Sequence, residues 1–181
     1  MLHRITGRAK KCGPSTISAI AGVPTHEAAA VIRRLYNRPA VNGVATDELA
    51  ATLVELGLPP NYALRHPRYP NGRWKESEAE FDRLFAHVPF DVRSVSLGTF
   101  LDVAPSGSWA IAAARHWIAY ADGFVADSGY WLSRKPQRWT AIRHSHPRVA
   151  GRRIIQAIRF VRALPAEAPT PHSMAVTELQ S

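Results

Sequence analysis

At 181 residues, 46% of them hydrophobic and one a cysteine, the chain suits one domain with a sizeable core and excludes both a disulfide framework and any multi-cysteine zinc or iron–sulfur site. Its basic start, MLHRITGRAKKCGPS, lacks the apolar stretch of a secretory signal, and no apolar run reaches the roughly 18 residues of a membrane span, so a soluble protein of a reducing compartment is expected. The formal net charge of +9 sits entirely in residues 128–166, which hold nine Arg or Lys and no acid, so a uniformly basic, histone-like chain is excluded.

In chain order, Cys12-Gly-Pro-Ser-Thr-Ile-Ser-Ala-Ile-Ala-Gly22 reads as a short helix. Pro14 stands where a first helical turn tolerates it, and Gly22 stands at the stop. A second helix runs from His26 to about Asn37 with Thr25 as candidate N-cap, and a third follows Thr46 and ends at Gly57. Residues 58–73, with four prolines, read as irregular loop. A helix from about Lys75 to Ala86 comes next, then a short one capped by Ser96 and running through Leu101.

From residue 108 the pattern changes to strands: Ser108 to Ala113, His116 to Ala121 and Phe124 to Asp127. Asp122-Gly123 between the last two is a strong hairpin signal. Trp139 to Ile142 reads as a further strand and Arg148 to Arg162 as a helix with Ile154, Ile158 and Val161 on one face. Helices first and strands later indicate an α+β fold, with N-terminal helices packed on a small antiparallel sheet and a basic C-terminal helix. The division expected is a core over 1–130, a basic extension over 131–163 packed on it, and a loosely held tail over 164–181.

Cys12 is the first candidate for chemistry. At a helix N-terminus, unpaired N–H groups and the macrodipole favour an anion, and Lys10 and Lys11 add positive charge; both lower a thiol pKa. The plainer reading of a lone cysteine is a small buried hydrophobe. His116 begins a strand, and a two-residue Asp122-Gly123 loop makes Ala121 oppose Phe124. Counting back, Ile118 opposes Asp127 and His116 opposes Gly129, one diagonal step from Asp127 on the same sheet face. The hairpin thus offers a base and an orienting carboxylate, although each residue alone is as easily structural.

With Cys12 on the first helix and GTFLDVAPSGSWAIAAARHWIAYADGFVADS late in the chain, residues 10–130 resemble the papain-like cysteine-peptidase fold, most of all its small phage and bacterial versions. The resemblance implies Cys12 as nucleophile, His116 as base and Asp127 as orienting carboxylate, acting without a cofactor on a peptide or amide through a thioester. It further implies a cytoplasmic or virion-associated setting. The pattern departs from the family twice. No Gln or Asn precedes Cys12 to complete an oxyanion hole, a donor whose loss costs on the order of 10²–10³ in rate; Arg8, Lys10 and Lys11 are the substitutes at hand. Gly13-Pro14 also follows the cysteine where many members carry a helix-forming or aromatic residue.

Metal binding is not expected: His144 and His146 have no third ligand nearby. The basic residues Arg134, Lys135, Arg138, Arg143, Arg148, Arg152, Arg153, Arg159 and Arg162, with Trp131, Trp139 and His144 interleaved, fit contact with nucleic acid or docking on a partner protein. The alternative function is therefore a non-catalytic virion or assembly component that binds through residues 128–166.

Overall fold

The computed structural model describes residues 1–8 and 11–162; Lys10 and the expected tail over 164–181 lie outside them. Seven helices, α1 (Cys12–Ala21), α2 (Thr25–Tyr36), α3 (Thr46–Glu55), α4 (Glu78–Phe85), α5 (Leu97–Val103), α6 (Trp139–Ile142) and α7 (Pro147–Ala150), are folded with seven strands. The strands are β1 (Pro60–Arg65), β2 (Phe90–Val92), β3 (Ser108–Ala113), β4 (His116–Ala121), β5 (Phe124–Ala126), β6 (Gln137–Arg138) and β7 (Ile154–Phe160). They form one sheet in the order β2-β1-β7-β3-β4-β5-β6, parallel between β1 and β2 and antiparallel elsewhere. The fold is α+β, with a mixed sheet rather than a small antiparallel one.

Period-two alternation divides the sheet's side chains between two apolar clusters. Ala110, Ala112, Ala119 and Ala121 join Ile17, Ile20, Ile32, Leu49 and Phe81 in one. Trp109, Ile111, Ile118 and Tyr120 join Leu97, Phe100 and Trp139 in the other. Alanines on the first face leave room for α1, eight of whose ten residues are buried, to lie close against β4. At its N-terminal end Gly13 is required by close approach, because a Cβ there would overlap the Val44 side chain. The same loop is tied down by Trp117, whose indole N–H donates to the Val44 carbonyl (2.9 Å).

Several expectations need correction. The C-terminal helix expected over Arg148 to Arg162 is instead the one-turn α7 followed by β7, hydrogen-bonded between β1 and β3 in the middle of the sheet. Ile154, Ile155 and Ile158 are β-branched, and Ile154, Gln156, Ala157, Ile158 and Phe160 are all buried, which suits a central strand covered on both faces. The expected boundary at 130/131 therefore does not separate an extension from a core. The proline-rich loop contains β1, whose Pro60 occupies the first strand position, where the missing N–H is tolerated. Trp139 to Ile142 is a helical turn, fixed by bonds from the Trp139 amide to the Gly123 carbonyl (2.8 Å) and from its indole to Asp102 (3.0 Å). Thr25 is the first residue of α2 rather than its cap, whereas Ser96 accepts from the Thr99 N–H (3.2 Å) at the start of α5. Among the described residues, no helix is long and apolar enough to cross a membrane.

Candidate active site

Cys12 is the first residue of α1, where an α-helix leaves its N–H groups without intrahelical acceptors. His116 opens β4, and β4 and β5 pair with Ala121 opposite Phe124 and Ala119 opposite Ala126, the register of a two-residue Asp122-Gly123 turn with positive φ at both positions (50° and 87°). β5 ends at Ala126, so Gly129 lies in the following loop and not opposite His116. Asp127, directly after the strand, turns its carboxylate back to the His116 ring, and Oδ1 lies 2.6 Å from Nε2. Asp127 is fully buried and His116 nearly so.

Asp127 also organises the loop that follows. Oδ2 accepts the backbone N–H groups of Trp131 (2.6 Å) and Leu132 (3.0 Å), and Oδ1 accepts from the Ser128 amide and hydroxyl. This wrap sets Trp131 4.5 Å and Tyr130 5.4 Å, centroid to centroid, from the His116 ring. The indole is held in turn by the Arg152 guanidinium, 5.5 Å from its centroid. Trp131 therefore walls the imidazole rather than standing free for a base to stack on.

The electrostatics follow from these contacts. Burial pushes the Cys12 thiol up, but hydrogen bonding and charge from His116, with the Trp117 and Gly13 backbone N–H groups, outweigh it and bring the thiol below its ordinary value of 9.0. Burial opposes a charged imidazole at His116, yet Asp127 and then Cys12 hold it up at about 9. Asp127 is pushed up by burial and pulled down further by His116 and by the Leu132 and Trp131 N–H groups, ending below the ordinary carboxylate value. With Nε2 on Asp127, Nδ1 is the ring nitrogen left for Cys12. Together the three favour a thiolate beside an imidazolium held by a carboxylate.

Cys12 opens into a cavity of about 420 Å³ lined also by Arg38, Asn42, Val44, Glu48, Trp74, Lys75, Glu76, Arg115 and Trp117. Arg8 and Lys11 are exposed and do not line it. Asn42, on the α2–α3 loop, also lines the cavity; sequence reasoning missed it by looking for an amide only upstream of Cys12. No local signal would have found it, because the Gly13–Val44 approach that seats the loop is a tertiary contact.

The basic residues are dispersed over several elements. Arg134 donates to the Gly7 carbonyl (2.9 Å), Arg143 pairs with Asp102 (2.9 Å), and Arg159 donates to Asn61 (3.0 Å) beside the Tyr62 and Trp109 rings. Arg138 lies over Phe124, while Lys135, Arg148, Arg152, Arg153 and Arg162 are exposed. Trp139, expected to be free for stacking, is buried in the core. His144 is exposed and His146 bonds to the Ile142 carbonyl (3.0 Å); no group able to hold a metal ion occurs among the described residues. Searches against family models, curated proteins and solved structures give no match to the chain.

Proposed function

We propose that the protein is a cysteine-dependent hydrolase of the peptidase or amidase type. The observation that carries this reading is the buried His116–Asp127 contact at 2.6 Å, with Cys12 hydrogen-bonded to the same imidazole. The order and roles of the three resemble the papain-like arrangement. The Cys12 thiolate adds to the substrate carbonyl carbon, and the carbonyl π pair moves onto oxygen. As the tetrahedral species collapses, the imidazolium Nδ1–H passes its proton to the departing amine and a thioester remains. Water then gives a proton to His116 while adding to the thioester carbonyl, and Cys12 leaves as thiolate, the pair restored. Asp127 keeps the Nε2 proton in place throughout. The Cys12 backbone N–H at the α1 terminus and the Asn42 amide are the donors assigned to the oxyanion, in place of an upstream Gln.

Alkylation by iodoacetamide tests the assignment directly. At pH 6 an ordinary thiol is roughly 0.3% ionised, so Cys12 should label about tenfold faster than glutathione even after the lower nucleophilicity of a low-pKa thiolate. Labelling no faster than glutathione sinks the reading.

A second reading rests on Arg148, Arg152 and Arg153, exposed on and after α7 and absent from the ion pairs found among the described residues. In it the protein docks on nucleic acid or an acidic partner, as a virion or assembly component. Heparin retention would then fall in the triple Arg→Gln variant and with added salt, while Cys12→Ser elutes unchanged; retention indifferent to the three arginines eliminates this reading.

A further inference from the structure

The Cys12 cavity holds a positive charge that the fold leaves unpaired. Arg38 is bonded to the buried Glu48, and Lys75 lies 2.5 Å from Glu78. Arg115 also lines the cavity, is exposed, and has no ion-pair or hydrogen-bond partner for its side chain among the described residues. Glu76 is the other lining charge without a salt bridge among them, and it stands on the segment after Trp74. Arg115, one residue before His116, is therefore the lining cation without a partner among the described residues, with Glu76 the lining acid without one.

The backbone at Arg115 supplies an independent observation. Ala114 and Arg115 form the two-residue loop between β3 and β4, with φ of 45° and 65°. Both lie in the left-handed region that disfavours residues with a Cβ, and such hairpin loops normally take Asn-Gly or Gly-Gly. The chain holds an arginine where glycine suits the turn better, one residue before His116. Strained positions of this kind gather where a side chain is needed for function.

We propose that Arg115 is the anion-recognition residue of this site and receives a carboxylate on the substrate close to the scissile bond. The assignment rests on Cys12 being the nucleophile. It narrows the substrate class to peptides or amides whose acyl or leaving portion is acidic next to the bond cleaved.

Two alkylating agents that differ in one charge provide the test on the full chain. Iodoacetate and iodoacetamide both form the S–C bond as the C–I bond breaks and iodide leaves with its electron pair, but only iodoacetate carries a carboxylate. Arg115→Gly should lower the iodoacetate-to-iodoacetamide rate ratio at Cys12 about threefold at low salt, the effect of one charge roughly 7 Å away in a water-like dielectric. The iodoacetamide rate should stay within about twofold, and the thermal midpoint should hold or rise because glycine relieves the turn. Arg115→Lys should keep most of the ratio, and Glu76→Gln should raise it. An unchanged ratio in Arg115→Gly with rapid iodoacetamide labelling overturns the anion assignment and leaves the nucleophile standing. An equal fall in Arg68→Gln, at an exposed loop position outside the cavity, traces the effect to overall charge and also overturns it. Slow labelling of the wild type by both agents removes the nucleophile and the anion assignment with it.

Discussion

Cys12→Ala is expected to abolish acyl-enzyme formation. With p-nitrophenyl acetate at pH 7, the wild type should release a burst of p-nitrophenolate equal to one equivalent of protein as the thioester accumulates, and the variant should show only the buffer rate. Removing the nucleophile of a unit that acts together costs on the order of 10⁴–10⁶ in turnover. The expectation follows from Cys12 standing at the α1 terminus against an imidazole that Asp127 holds. A burst that survives in Cys12→Ala would place the chemistry on another residue.

The same variant should change how stability depends on pH, and the sign can be worked out group by group. His116 is raised from 6.5 to about 9, so its contribution is complete below pH 6.5 and is lost as pH rises through about 9. Cys12 is lowered from 9.0, so its contribution is complete above pH 9.0 and is lost as pH falls through its folded value. In the part of the 6.5–9 range that lies above the folded Cys12 value, the unfolded chain holds one proton on this pair, at sulfur, and the folded chain also holds one, at the imidazole. Unfolding then exchanges no net proton at the pair, and its contribution is level with pH. Alanine at position 12 leaves the His116 contribution uncompensated. Relative to wild type, the variant should lose stability as pH rises from the folded Cys12 value toward 9, with a slope of up to about 1.4 kcal/mol per pH unit. The folded pKa of His116 in the variant sits below its wild-type value, since Cys12 no longer supports the imidazolium, and the window closes there. Urea midpoints of both proteins at pH 6, 7 and 8 measure this; parallel profiles would mean that no thiolate–imidazolium pair forms.

Local chemistry explains which features were legible in the sequence. A cysteine ahead of Pro14 in a first helical turn, a serine three residues before Thr99, and Asp122-Gly123 between two apolar runs each act through neighbours a few positions away. The hairpin register follows from the turn length, whereas the approach of Asp127 to His116 also needs the loop after Ala126, whose amides hold the carboxylate. β7 was hidden because Ile154 and Ile158 are four apart and arginines surround them, which imitates one apolar helical face. In the sheet, β7 buries residues on both faces, and the intervening Arg159 is absorbed by Asn61 and the Tyr62 and Trp109 rings. β1 was masked by prolines that only its first position tolerates. The cavity wall is illegible for another reason: Asn42, the Trp74–Lys75 pair and Arg115 come from three loops far apart in the chain that meet only in the folded protein. The basic run suggests one surface only by sequence adjacency, whereas β6, α7 and β7 and the loops between them distribute those residues over the fold.

Asp127→Asn is expected to leave the fold recognisable and the site close to inactive, for a reason that lies in hydrogen-bond counting. Asp127 accepts from His116, the Ser128 amide and the Ser128 hydroxyl at Oδ1, and from the Trp131 and Leu132 amides at Oδ2. Asparagine can present only one oxygen. If its NH₂ faces Trp131 and Leu132, two buried backbone N–H groups lose their acceptor. If its NH₂ faces His116 and Ser128, only the Ser128 N–H is orphaned, because a hydroxyl can turn to accept and the imidazole can change tautomer. Each orphaned buried N–H costs about 1–3 kcal/mol, so the second arrangement is preferred. It makes Nε2 an acceptor and moves the ring proton to Nδ1, the nitrogen facing Cys12, where it can no longer take the thiol proton. An equivalent tautomer switch in serine proteases costs about 10⁴ in turnover. The variant should therefore lose about 1–3 kcal/mol in urea unfolding, lose the p-nitrophenolate burst, and label with iodoacetamide at pH 6 no faster than glutathione. Asp127→Ala separates the two roles: it leaves the Ser128, Trp131 and Leu132 amides all unpaired and should be the less stable protein, yet its imidazole is free to adopt either tautomer. Faster Cys12 labelling in the alanine variant than in the asparagine variant is the outcome required if Asp127 acts by fixing the ring proton, and the reverse order would assign it to loop architecture alone.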